Sequence, residues 1–322
     1  MNLNEMLECY KKAPLIYQPS KYWDHLNEKN LNQLSDSGID NFKRTVNLNY
    51  FNFNVEVNNK DADQFYWLLE NTKQSYLNLR DVNKLSNGFE RYNLFVLLLW
   101  EYARSHDIEK LLDELEEPEE GNPYRIYFNN KLISQDLANS TLEYYSVVKN
   151  SDILIRQDLK IAELGAGYGR NAYVYLKRFP NVKYFIIDIP PALYISQNYL
   201  SKMFPNRKIY LFNESINMEK IKDSDIIFLM PHQLHQLPDK IFDLFLTIST
   251  LHEMRLDQIS NYLRLIKKLT SGYFYNKQWY NCPMPFEGIT ITPDDYVVPG
   301  KCFMYRTAYP QVGFFESLWF IE

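Results

Sequence analysis

The apolar positions of this chain change their period near residue 150. Before it they recur mainly at helical spacing, in segments such as Gln64–Thr72 and Tyr92–Leu115, separated by stretches rich in Asn, Ser and Asp. After it, short apolar runs predict strands at Lys160–Leu164, Tyr184–Ile189, Lys208–Phe212, Ile226–Met230, Leu244–Ser249 and Gly272–Asn276. Helices fit between them over Tyr168–Arg178, Pro191–Met203 and Leu256–Leu269. Such alternation predicts an α/β, doubly wound, mostly parallel sheet that holds ligands at the carboxyl ends of its strands. The tail from Gly288 carries strand-like pieces (GITIT, FMYRTAY, ESLWFIE) with no helix between them, which predicts an antiparallel finish. The expected organisation is a mainly helical region, 1–150, acting on substrate or as a lid, followed by an α/β domain, 151–322.

Composition changes this picture little. With 322 residues, 46% of them apolar and 23% charged, the chain can bury a substantial core. A net charge of −5 argues against a protein built mainly to neutralise nucleic-acid phosphates. Cys9, Cys282 and Cys302 lie far apart without CxxC spacing, so neither a disulfide framework nor a zinc knuckle follows, and a reducing cytoplasm is the expected setting. The N-terminus lacks a signal-peptide layout, and the longest apolar run, Tyr92–Tyr102, falls well short of the ~20 residues that span a bilayer. The acidic run Glu114–Glu120, ending at Gly121-Asn122-Pro123, reads as a solvated turn. A homodimer stays open.

Candidate chemistry begins at Glu163-Leu164-Gly165-Ala166-Gly167-Tyr168-Gly169, where three of the chain's ten glycines fall between a predicted strand and a predicted helix. Clustered glycines there imply a sharp turn and a backbone that a ligand can approach closely. Asp188 ends the next strand, where a carboxylate can accept from ribose hydroxyls. An adenosine-type ligand follows, held by Gly165, Ala166, Gly167, Gly169, Asp188 and Ile189. The spacing is GxGxG rather than the GxGxxG of dinucleotide folds. Glu163, two residues ahead of the first glycine, would repel a pyrophosphate and attract the ammonium and sulfonium of S-adenosylmethionine. Together these features favour the methyl donor over NAD.

The segments ELGAGYGR (163–170), YFIIDIPPALYISQNYL (184–200), FLMPHQLHQLPDKIFDLFLTISTLHEM (228–254) and NYLRLIKKLTSGYFYNKQW (261–279) resemble the bacterial sugar O-methyltransferase family. So do NFKRTVNLNYF (41–51) and GNPYRIYFNNKLISQDLANSTLEYYS (121–146). The resemblance implies a Rossmann-like class I methyltransferase fold, a seven-stranded sheet with an antiparallel last strand. It also implies S-adenosyl-L-methionine as donor, S-adenosyl-L-homocysteine as product, and a sugar or glycoconjugate hydroxyl as acceptor in cell-surface polysaccharide assembly. Other readings stay open: a non-sugar acceptor, an NAD-dependent sugar-nucleotide enzyme, or a catalytically silent cofactor binder.

A sugar hydroxyl needs a base near neutral pKa, and His252, just past the strand Leu244–Ser249, is the leading candidate. Glu253 beside it orients a hydroxyl or, three residues after Thr250, belongs to a helix capping box. His232 and Gln233 follow another strand end and are assigned by position to the cofactor rim. The HxxH pair His232/His235 has no supporting acid or cysteine, so no metal is expected. Lys277 and Trp279 end a strand beside the same cleft, and with Tyr168, Arg170, Gln135 and Asp136 they make up the expected substrate contacts. Ser134, Gln135 and Asp136 also suit a helix N-cap and first turn. His25 and His106 have no constellation around them, and 26 tyrosines spread along the whole chain mark no site.

Overall fold

The structure, a computed structural model, describes residues 2–44, 59–72 and 88–322. Residues 45–51 of the segment 41–51 quoted above lie outside the described ones. The chain divides into two compact units: residues 29–146 with 308–313, and residues 1–28 with 147–307 and 314–322. The first 28 residues therefore group with the α/β body, where the change of period predicts a single boundary near residue 150.

The helical unit is organised by apolar stripes. Helices Asn59–Asn71 and Gly88–His106 bring Phe65, Leu68, Val96, Leu99 and Trp100 into its core, all buried. The strands β1 (Ile126–Phe128) and β2 (Lys131–Ile133) form an antiparallel hairpin. Helix Gln135–Val148 begins as the sequence suggests, since the Ser134 hydroxyl accepts the Leu137 N–H at 3.0 Å. The acidic run is not a solvated turn throughout. Glu117 is buried, ion-paired with the equally buried Lys43, and it accepts the Ser134 hydroxyl at 2.5 Å. An isolated carboxylate would not stay charged there, and the lysine makes its burial tolerable.

The α/β unit is built on β3 (Lys160–Leu164), β4 (Lys183–Ile187), β5 (Ile209–Tyr210), β6 (Ile226–Leu229), β7 (Phe242–Ile248) and β8 (Thr270–Trp279), all running parallel. β9 (Cys282–Met284) and β10 (Ile289–Ile291) make a separate hairpin. β11 (Lys301–Thr307) and β12 (Phe314–Ile321) complete the main sheet, in the order β11-β12-β8-β7-β3-β4-β6-β5. β12 runs antiparallel to both its neighbours, so the expected antiparallel finish is present. β6 reads Ile-Ile-Phe-Leu with every side chain buried, the continuous apolar run of a strand covered on both faces. The amphipathic helix Leu256–Leu269 packs Ile259, Tyr262, Ile266 and Leu269 inward and ends on Lys267 and Lys268, which favour a helix C-terminus.

This is the α/β, doubly wound, mostly parallel sheet that the strand–helix alternation predicts. Among the described residues the sheet has eight strands rather than the seven expected. β6 lies between β4 and β5, and the Lys208–Phe212 segment contributes only a two-residue edge pairing. The strand order reverses at β3, whose neighbours are β4 on one side and β7 on the other. A crevice at the carboxyl ends of these strands is the natural ligand position in such a sheet.

Candidate functional site

The loops after β3 and β7 meet at this switch point. A Cβ on Gly165 (φ 74°) would lie 2.1 Å from the Thr250 hydroxyl oxygen, so only glycine lets the turn pack against the loop that follows β7. At Gly167 (φ 59°) the situation differs: a Cβ there would meet nothing within 4 Å. Its left-handed backbone borders open space, the kind of cradle a ligand can enter. Gly169, also left-handed, caps helix Arg170–Arg178, and Ala166 and Tyr168 between the glycines are buried, Tyr168 edge-on to Tyr199.

Asp188 closes one side of this turn. Its carboxylate accepts the Gly167 N–H and the Ile189 N–H, each at 2.7 Å. Burial pushes its pKa up to about 7, against the opposing pull of those two N–H donors. Tyr10, from helix Leu3–Lys11, and Tyr262 both lie close enough for Asp188 to raise their phenol pKa values, although burial is the larger cause. The N-terminal segment is tied down nearby. The Gln258 amide donates to the carbonyls of Ile16 and Gln18, and the Ser20 hydroxyl to that of Glu253. Nothing in the spacing of residues 1–28 points to this placement.

Glu163 is 2% exposed, and its oxygens accept from Asn171 Nδ2 at 3.0 Å and the Tyr184 hydroxyl at 2.7 Å, bonds that pin helix Arg170–Arg178 and β4 to β3. Gln233 is wholly buried, its amide accepting from Met230 N at 2.9 Å and donating to the Asn213 carbonyl at 2.7 Å, so it braces the loop that follows β6. His232 beside it keeps a buried Nδ1 without a partner among the described residues, and burial lowers its pKa.

His252 is 1% exposed and sits in a frame that the sequence did not reveal. Oε1 of Gln278 accepts the Thr250 N–H at 3.0 Å and the His252 N–H at 3.3 Å, and lies 2.8 Å from His252 Nδ1. The Gln278 oxygen can only accept, so the 2.8 Å contact favours a proton on Nδ1 over the longer 3.5 Å approach of the Trp279 N–H to the same nitrogen, and this tautomer leaves the lone pair on Nε2. Nε2 lies 3.7 Å from the Glu253 carboxylate. The ring packs on Trp279 at 5.5 Å and Phe314 at 6.3 Å between centroids. The expected capping box from Thr250 is absent, because the Thr250 hydroxyl donates to the carbonyl of Ile248. Lys277 is buried beside the Phe314 ring and does not snorkel to solvent. Arg170 opens its helix, half-buried.

Gln135 and Asp136 belong to the helical unit, where both are buried in the first turn of helix Gln135–Val148, and neither atom of the Gln135 amide has a hydrogen-bond partner among the described residues. His25 rests against Phe286, and His106 bonds the Tyr102 carbonyl, both ordinary placements. No group of three or more His, Cys, Asp or Glu side chains suited to a metal occurs among the described residues. No described helix is long and apolar enough to cross a membrane.

No protein-family model and no curated protein matches the chain. Among solved structures, the pyocyanin biosynthetic protein PhzM is similar at 12% identity and TM-score 0.40, over 58% of this chain and 56% of that one. The arsenic(III) S-adenosylmethionine methyltransferase CrArsM of Chlamydomonas reinhardtii is similar at 15% identity and TM-score 0.36, over 53% of this chain and 65% of that one. A SAM-dependent methyltransferase of Aquifex aeolicus gives 13% identity and TM-score 0.35, over 59% of this chain and all of that one. This chain spans little more than half the length of PhzM, and likenesses this distant carry no conclusion about activity.

Proposed function

We propose that this protein is an S-adenosylmethionine-dependent O-methyltransferase acting on a sugar hydroxyl. The observation that carries the cofactor half is the turn at Gly167, open where a side chain would stand, with its N–H donated to the buried Asp188 carboxylate at the end of the neighbouring strand. Gly165 to Gly169 and Asp188 with Ile189 would hold the adenosine part, the carboxylate receiving ribose hydroxyls. His232 would lie at the adenine rim. When bound, the donor supplies a methyl already activated by its sulfonium, so the protein's work is alignment and removal of a proton. His252 suits that removal: its Nδ1 proton is held by Gln278, its Nε2 has the lone pair, and the Glu253 carboxylate would stabilise the imidazolium that forms.

The sugar acceptor rests on the resemblance of the segments around His252 and Lys277, with Tyr168, Arg170, Lys277 and Trp279 as further substrate contacts. Calorimetric titration with S-adenosylhomocysteine tests the cofactor half, and an absence of heat at millimolar ligand would sink it. Incubation with labelled S-adenosylmethionine and fractionated surface glycans tests the acceptor half, with label expected in the glycan fraction only.

A further inference from the structure

The N-terminal residues of the α/β unit run from one side of the candidate donor site to the other. Helix Leu3–Lys11 ends beside the loop that follows β5, where Lys12 Nζ lies 3.7 Å from the Glu214 carboxylate. Tyr10 is buried near the end of β4, its phenol pKa raised by burial first, then by Tyr262 and Asp188. Residues 15–18 reach the far side, after β7. There the Leu15 carbonyl accepts from Arg255 Nη2 at 3.3 Å, and the Ile16 and Gln18 carbonyls accept from Gln258 Nε2 at 3.1 and 2.7 Å. The Ser20 hydroxyl then donates to the Glu253 carbonyl at 2.8 Å, one residue from His252. β3, which leads into the glycine turn, lies between β4 and β7 in the sheet. A segment anchored after β5 at one end and after β7 at the other therefore passes the end of β3.

This placement restricts access. The space beside Gly167 is open, but the Asp188 carboxylate that would take the ribose hydroxyls is only 9% exposed. A nucleoside reaches that carboxylate only if what covers it moves. The ties at the ends of the segment are of a kind that can release. Lys12 and Glu214 are both exposed, and such pairs contribute little. The bonds from Arg255 and Gln258 go to partly buried or exposed carbonyls, which water can satisfy instead, and Leu15 itself is 82% exposed. Inside, the segment holds its own shape. The Tyr10 hydroxyl donates to the Tyr17 carbonyl at 2.8 Å, and Gln18 Nε2 donates to the carbonyls of Tyr10 and Ala13 at 2.9 and 2.8 Å. A piece of chain with closed internal bonds and releasable outward ones opens as a unit.

We infer that residues 9–20 form a strap that swings aside to admit the donor and closes over it, with Tyr10 as its inner wall. Closing segments of this kind keep water from a reactive centre. Closure also fixes the Glu253 backbone through Ser20, and with it the loop that carries His252. The strap rests on the donor site proposed above and on nothing about the acceptor.

Hydrogen exchange on the full chain, read by mass spectrometry with and without saturating S-adenosylhomocysteine, tests it. In the free protein, peptides from residues 9–20 are expected to exchange at least tenfold faster than those of helix Leu256–Leu269, which holds them. They are expected to slow at least tenfold when the nucleoside binds. Gln258→Leu removes the donor to two strap carbonyls and is expected to speed release of labelled S-adenosylhomocysteine threefold or more in a rapid-filtration chase. Should that variant not fold, Lys12→Glu, which sets like charges at an exposed pair, is read the same way. Exchange in residues 9–20 that is already as slow as in the helix without ligand overturns the strap, as does exchange that quickens on binding. Release unchanged in the variant overturns it too. Calorimetry with the same ligand separates the two claims. Heat of binding with unmoved exchange removes the strap alone, and no heat removes the donor site and the strap with it.

Discussion

The glycine turn and the first turn of helix Gln135–Val148 treat buried polar groups differently. At the glycine turn, both buried carboxylates have partners: Glu163 receives Asn171 and Tyr184, and Asp188 receives two backbone N–H groups. What is open there is space beside a backbone, at Gly167. In the helical unit, Glu117 is doubly held by Lys43 and Ser134, while neither atom of the Gln135 amide has a hydrogen-bond partner among the described residues. A satisfied polar network holds its geometry, and a buried amide without a protein partner is an ordinary place for ordered water.

The largest expected effect tests the chemistry beside the turn. His252→Ala should lower turnover about 10²- to 10⁴-fold, the usual worth of a positioned general base, with little change in S-adenosylhomocysteine affinity by calorimetry. Turnover unchanged with an identified acceptor would make His252 a packing residue of the Trp279–Phe314 cluster.

Next comes the contrast within the turn itself. Gly165→Ala forces a Cβ into Thr250 at a left-handed position and should cost about 3 kcal/mol of stability, from overpacking and backbone strain together. Gly167→Ala meets no atom, so its stability cost should stay near ~1 kcal/mol, from φ alone. Its effect should fall on S-adenosylhomocysteine binding. Denaturant melts and calorimetry on the pair separate the two, and equal losses of stability would refute the cradle.

A smaller effect follows from Asp188. Its folded pKa of about 7 lies above that of an unfolded aspartate, about 3.9. Folding therefore takes up a proton between those values. The contribution is fully present below about pH 4 and is lost as pH rises through 7, so Asp188→Asn should flatten that decline in stability. Hydrogen bonds from ribose and a nearby sulfonium favour the ionised form, so S-adenosylmethionine binding near pH 7 should release up to about half a proton, and the product, which lacks the sulfonium, less. Calorimetry in buffers of different ionisation enthalpy reads this directly, and buffer-independent heats would place the carboxylate away from the ligand.

The smallest expected effect concerns Gln278. Gln278→Glu keeps the acceptor for the ring proton and adds a charge, so it should shift the pH profile of turnover upward by stabilising the imidazolium. Gln278→Leu frees the tautomer and should reduce turnover less than loss of the ring itself. A profile unmoved in both variants would deny Gln278 its positioning role.

Much of the α/β unit was legible because its signals are local. Strand Lys160–Leu164 and helix Leu256–Leu269 were readable to the residue, since a buried strand and an amphipathic helix each declare themselves by their own period. The glycines declared a turn because left-handed φ is a local demand. Where the surroundings of a single polar residue were not legible, distant atoms were responsible. Glu163 accepts the hydroxyl of Tyr184, which comes from the next strand. Glu117 looked solvated, and Lys43 reaches it from more than seventy residues away.

By itself, then, the sequence determined the strand–helix alternation, the tight turn before Arg170 and an acid at the end of the following strand. Each depends on neighbours within one element. Only the tertiary structure decided which polar groups are satisfied. It set Gln278 beneath His252, brought the first 28 residues onto the α/β body, and gave the Gln135 amide no hydrogen-bond partner among the described residues. Those outcomes depend on which distant donors and acceptors meet, and no period along the chain encodes that.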